Sequence, residues 1–128
     1  MMMTSRYEFE NGDSRSAIWR MVIALLKIIH KRRFPKGRPF GSDLQLLMVY
    51  STACSLFFEG RSVRNCDIAR FLGMSHETVR RNLNAAMEIG LIERHDRFYE
   101  PTRSNRQATF TKVEKALAQC AEELIRSR

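Results

Sequence analysis

"FLGMSHETVRRNLNAAMEIGLIER", residues 71–94, reads as the end of one helix, a tight turn, a second helix and a glycine stop. Gly73 permits the left-handed backbone that releases a chain from a helix. Ser75 is a residue type whose side-chain oxygen accepts from the free amides of a helix start. The helix it opens runs to about Ile89, and Gly90 closes it. At about 100° per residue, Val79, Leu83, Ala86 and Met87 form an apolar stripe. Glu77, Arg81, Asn84 and Glu88 fall nearly opposite, with Arg80 on the flank. That polar side has two readings. It is a solvated face, in which Glu77 and Arg81 form an i,i+4 pair worth about 0.3–0.5 kcal/mol. Alternatively, it is a surface that reads base edges.

Size and charge bear on the choice. With 128 residues the chain is long enough for one domain with a real core. Hydrophobic content of 44% and charged content of 28% fit a folded globular protein. Lysine and arginine number 22 against 14 acids, a net charge of +8. Such an excess favours polyanionic partners, nucleic acid among them, and serves solubility or a membrane surface equally well. The apolar run 18–29 is broken by Arg20 and Lys27 and is too short to cross a bilayer. Glu8, Glu10 and Asp13 precede it and no small-residue cleavage site follows, so no targeting or membrane segment is expected. Cys54, Cys66 and Cys120 lack CxxC spacing, which points to reduced thiols and a cytoplasmic protein.

Residues 1–13 carry an Asn-Gly turn signal and no apolar period, and are expected to be a flexible tail. In the next unit, 14–41, Ile18, Met21, Val22, Leu25, Leu26 and Ile29 specify an amphipathic helix capped by Ser14 or Ser16. A basic linker, "HKRRFPKGRPFG" (30–41), follows with Lys31, Arg32, Arg33, Lys36 and Arg38 and no acid. This run is a solvated stretch, a phosphate-contacting arm or a surface for an acidic protein. Ser42 with Gln45 forms a capping-box pattern ahead of a central helix that is apolar nearly all round. A short helix with Ile68, Ala69, Phe71 and Leu72 inward comes next, and after the Ser75 helix a small hairpin that turns at His95-Asp96. Pro101 stops the hairpin. Residues 102–128 hold a polar connection and a last helix from Thr111, with Val113, Leu117, Cys120 and Leu124 on one stripe.

This order, three helices with a glycine turn between the second and third and then a hairpin, resembles the winged helix-turn-helix over residues 42–101. "GMSHETVRRNL" followed by "GLI" is similar to the helix-turn-helix of the cyclic-AMP receptor and fumarate-nitrate regulator family. The standalone layout, with a helix on each side, looks more like the multiple-antibiotic-resistance regulators. The implied fold is mostly α with a small β-hairpin wing. The implied function is sequence-specific binding of double-stranded DNA by a transcriptional regulator, with the Ser75 helix in the major groove. By this resemblance Glu77 and Arg81 occupy the base-reading positions. Arginine donates twice to guanine and a carboxylate accepts from the cytosine amine. Arg80 and Asn84 face the groove with them, while His76 and Thr78 suit phosphate or a thymine methyl. Ser75, Arg94, His95 and Arg97 would contribute phosphate contacts. Two features depart from the pattern. The wing lacks a tip glycine, which implies a short or irregular hairpin. Arg64 stands where a small polar cap is usual, so Asn65 is expected to cap one residue late and Arg64 to reach a phosphate.

The flanking helices carry more apolar residues than one such motif needs, and are expected either to build a homodimer or to fold back on their own domain. Cys54 and Cys120 read as packing residues, whereas Cys66, near Arg64, is the one candidate for redox chemistry. His30, His76 and His95 have no metal-ligand spacing, and no metal or cofactor is expected. No nucleophile–base pair, glycine-rich phosphate loop or carboxylate dyad is present, so an enzyme is not expected. A small-molecule effector would need a pocket between helices. The rival from another class is a protein-interaction module that keeps the fold without the DNA surface.

Overall fold

The computed structural model describes residues 2–106, with side chains from Ser16 onward, and scattered positions between 115 and 126. The elements are α1 (Met2–Arg33), a 3-10 turn (Gly41–Asp43), α2 (Leu44–Phe58), α3 (Asn65–Leu72), α4 (His76–Glu88), β1 (Ile92–His95), β2 (Phe98–Pro101) and a helical turn, α5 (Arg103–Arg106). The fold is mostly helical with one two-stranded antiparallel hairpin among the described residues.

α1 is longer than its apolar period implies. It begins at Met2, so the segment 1–13 expected as a tail is helical backbone from that point, and neither Ser14 nor Ser16 is its cap. A single Asn-Gly pair is a local signal, and a continuous hydrogen-bonded helix overrides it at a cost of about 1 kcal/mol for the glycine. Every described side chain from Ser16 to Ala24 is exposed, and burial starts only at Leu25. Pro35 then ends the helix, because it disfavours helical backbone at Phe34.

The basic linker is a built corner. Asp43 is buried and takes two hydrogen bonds from Arg38, from Nε at 2.8 Å and from the terminal nitrogen at 2.7 Å. It also lies 2.8 Å from His30 Nε2. The capping box expected from Ser42 and Gln45 does not form: Asp43 is the residue before α2, and its side chain makes no cap.

α2 is the hub and packs against α3, α4 and β2. Its Leu46, Leu47, Val49, Tyr50, Ala53 and Leu56 are buried, joined by Ile68 and Ala69 from α3 and by Val79, Leu83 and Ala86 from α4. α2 is not sealed on all sides, since Leu44, Met48 and Phe58 are exposed. Phe71, expected inward, is 64% exposed, because the short α3 buries only its Asp67–Ala69 side.

α3 and α4 end alike. Gly73 and Gly90 sit at φ +68° and +82°, where a side chain is disfavoured. In each case the amide of the following residue closes on a carbonyl five residues back, Met74 to Ala69 and Leu91 to Ala86. The hairpin pairs Ile92 with Pro101 and His95 with Phe98, so its turn is Asp96-Arg97, not His95-Asp96. Asp96 takes φ +60°, the conformation that a tip glycine usually supplies and that aspartate tolerates. The hairpin is therefore regular despite its missing glycine. Val63 adds a bridge to its edge, with the Tyr99 amide donating to the Val63 carbonyl at 2.8 Å. The polar connection after Pro101 contains the helical turn α5. The apolar stripe from Val113 to Leu124 lies outside the described residues.

Candidate nucleic-acid interface

Ser75 sets the start of α4. Its Oγ accepts from the Thr78 amide at 3.1 Å and donates to Thr78 Oγ1 at 2.9 Å. The hydroxyl is thus occupied by the cap. Thr78 is half-buried and its hydroxyl also lies 3.5 Å from an Arg81 terminal nitrogen. Glu77, Arg80, Arg81, Asn84 and Glu88 are all exposed on one side, while Val79, Leu83 and Ala86 are fully buried on the other.

The ion pair on this face is not Glu77 with Arg81. Glu77 receives two hydrogen bonds from Arg80, three residues on. The Arg80 guanidinium holds the Glu77 carboxyl below its ordinary range, and Glu77 in turn raises Arg80. Among the described residues Arg81 makes one long hydrogen bond, to Thr78, and adds a weaker pull on the Glu77 carboxyl from an exposed position.

Between the starts of α3 and α4 and the hairpin lies a cleft of about 390 Å³, lined by Arg64, Asn65, Cys66, His76, Glu77, Arg80, Arg94, Arg97 and Tyr99. Four arginines and one carboxylate therefore line it, and Arg64 Nε also lies 3.6 Å from Asp67. Arg64 is itself the residue before α3, and Asn65 does not cap one residue late as expected. Asp67, three residues on, accepts from the Arg64 amide at 2.9 Å. That bond, with Arg64 beside it, keeps the Asp67 carboxyl low despite burial. Asn65 instead donates to the His76 carbonyl at 3.2 Å, tying the two helix starts together. Its Oδ1 is buried in the cleft wall without a partner among the described residues. Arg94 donates to the Asp96 carbonyl at 2.6 Å and lies over the Tyr99 ring at 5.7 Å. No carboxylate pairs with Arg97 among the described residues.

The structure divides the expected contact residues. Ser75, His76, Glu77, Thr78, Arg80, Arg81 and Asn84 share α4 and its cap, and Arg64, Arg94 and Arg97 line the adjoining cleft. His95 does not join them. Neighbours on a strand point to opposite faces, and His95 turns away from Arg94 to lie 3.1 Å from Glu100 and 3.7 Å from Glu93. Its side borders a second hollow of about 380 Å³ that includes Phe57, Arg61, Phe98 and Glu100. Sequence reading missed Asn65 as a tie between helices and Tyr99 as a platform for Arg94. The strand alternation that buries Tyr99 carried the second signal.

Of the thiols, Cys54 is packed against the core and burial pushes it up to about 11, so it stays protonated at neutral pH. Cys66 is half-buried in the cleft wall, and Cys120 lies outside the described residues. Among the described residues no helix is long and apolar enough to cross a membrane. Comparison with protein-family models, curated proteins and solved structures finds no match to this chain.

Proposed function

We propose that the chain is a winged helix-turn-helix protein that binds double-stranded DNA through α4 and regulates transcription as a homodimer. One observation carries this reading: the polar side of α4 is open along its length, and at its N-terminal end it adjoins a cleft whose lining holds four arginines and a single acid. In this reading α4 enters the major groove, with Glu77, Arg81 and Asn84 toward base edges. Arg64, Arg94 and Arg97 meet the phosphates that run along the groove wall. The hairpin is the wing. Two-fold pairing through α1 would set two copies of α4 about 34 Å apart, one DNA turn, and favour a palindromic site. Exposed Ile18, Trp19, Val22 and Ile23 supply the apolar surface for that pairing.

The test is binding to a random duplex at two salt concentrations. Log affinity should fall with log salt by about 0.9 for each phosphate neutralised. Selection from a randomised duplex pool then gives the preferred site. The same exposed apolar surface on α1 also favours the rival, a protein-interaction module without DNA binding. A flat salt response with no duplex affinity would select that rival.

A further inference from the structure

Glu93 and His95 stand two apart on β1 and so project to the same face of the hairpin. The register places Glu100 directly opposite Glu93. Two carboxylates in that relation repel each other, and the face is built around cationic groups that offset the repulsion. His95 Nε2 is 3.1 Å from Glu100 Oε1 and 3.7 Å from Glu93 Oε1. Arg106, the last residue of α5, brings its two terminal nitrogens to 3.4 Å from Glu100 and 3.6 Å from Glu93.

We propose that Glu93, His95 and Glu100 form a site for a divalent transition-metal ion, zinc by its donor set, which an entering ion takes by displacing the Arg106 guanidinium. One donor atom from each of the three residues lies within 4.8 Å of the others. Zinc bonds of about 2.0–2.2 Å to imidazole nitrogen and carboxylate oxygen place tetrahedral ligand atoms roughly 3.3–3.6 Å apart. The two His95 distances, 3.1 and 3.7 Å, bracket that separation, so small rotations of the glutamates close the set. One imidazole with two carboxylates suits zinc and its first-row neighbours. Calcium and magnesium instead prefer six or more oxygens. Half-open surroundings leave the fourth position to water, as three-ligand zinc sites require.

Arg106 marks the spot where positive charge is stabilised. It is partly exposed, and among the described residues its side chain otherwise lies over the Phe57 ring at 5.7 Å. It can therefore leave without opening the core. An arriving ion would release the Arg106 side chain from the hairpin while Thr102 and Asn105 keep their bonds to Gly90, so the site couples metal occupancy to the last residue of α5.

The test is a titration of the full chain with Co²⁺, read by the visible absorption of a low-coordinate cobalt site, followed by displacement with Zn²⁺. No nucleic acid is present, so the outcome is independent of the DNA-binding reading. One saturable equivalent is expected, displaced by zinc. His95→Ala, at an exposed position, should fold normally and lose the signal. Glu100→Gln should weaken binding by about tenfold or more. Arg106→Gln should tighten binding several-fold, because it removes the competitor, and His76→Ala should leave it unchanged. Absence of saturable binding, or a signal that survives His95→Ala, overturns the site. An affinity that stays level or falls in Arg106→Gln overturns the displacement.

Discussion

His30 Nε2 and Asp43 Oδ2 lie 2.8 Å apart, both buried, and join the end of α1 to the start of α2. Phe34 and Phe40 flank the imidazole, with ring centroids at 4.7 and 5.6 Å. Arg38 completes the corner from its half-open side. A stretch of five cations without an acid thus folds around an acid supplied by the next element. This arrangement fixes where α1 leaves the domain, and in the proposed dimer it fixes the spacing of the two α4 helices.

Asp43→Asn should therefore cost roughly 3 kcal/mol, the low end for breaking a buried ion pair, because Arg38 remains 35% exposed. Its pH dependence has a definite sign. The Arg38 hydrogen bonds, helped by His30 and opposed by burial, hold the Asp43 carboxyl below the carboxylate range. A group depressed in the folded state stabilises above its unfolded pKa of about 3.9. That contribution is lost as pH falls through the folded value. Urea unfolding from pH 6 downward should show a shallower acid loss in the variant. Parallel curves would mean that Asp43 is not ionised in the folded protein.

Ser75 caps α4 through its bond with the Thr78 amide. Ser75→Ala should lower stability by about 1 kcal/mol. If α4 enters DNA as proposed, loosening its first turn should also weaken duplex binding at every sequence alike. Thermal melts beside binding curves measure both. A stability loss without any binding loss would show that this helix end does not approach DNA.

Some of this architecture can be read from residue order, because it rests on local rules. The glycine stops, the Ser75 cap and the two sides of α4 follow from spacing along a single helix. Other features depend on partners far away in sequence. Ser42 with Gln45 looks like a capping box until Asp43, held by Arg38 and His30, takes the position before α2, and Phe71 looks inward until α3 proves too short to bury it. The separation of His95 from Arg94 was legible in principle, since strand neighbours face opposite ways. The meeting of Glu93 with Glu100 was not, because it depends on a turn at Asp96-Arg97 that lacks the usual glycine.

Trp19 is 66% exposed on a helix whose described side chains from Ser16 to Ala24 are all exposed. Were α1 the dimer contact, Trp19→Glu should place a charge in an apolar seam and release monomers. Sedimentation should fall from twice 15.0 kDa to 15.0 kDa while the helix content stays constant. A variant that still sediments as a dimer would move the interface elsewhere.

Arg81 and Arg97 should separate base reading from phosphate contact. Arg81 carries a guanidinium nearly free of intramolecular bonds at mid-face of α4, while Arg97 sits at the hairpin tip. Arg81→Ala should cost about 1–3 kcal/mol at the preferred site and relax base choice there. Arg97→Ala should weaken all duplexes evenly and reduce the salt slope by about 0.9. If the two variants behaved alike, α4 would be lying on the backbone and not in the groove.

Glu77 restrains Arg80, and in the proposed DNA-binding reading that restraint would bear on specificity. The carboxylate accepts two hydrogen bonds from Arg80, so in the free protein the two groups are paired with each other. In a major groove Glu77 is suited to accept from a cytosine amine, and the released Arg80 then reaches a phosphate or a guanine. A wrong base leaves the carboxylate facing acceptors, and like charge against phosphate discourages binding. Glu77→Gln should remove both controls. Affinity for random duplex should rise, with a salt slope steeper by about 0.9 if Arg80 gains a phosphate, while discrimination at the preferred site falls. Arg80→Gln should lower affinity for every duplex. Were Glu77→Gln to bind random duplex no better than the parent, the pair would be an ordinary surface contact, and its carboxylate would have no part in choosing bases.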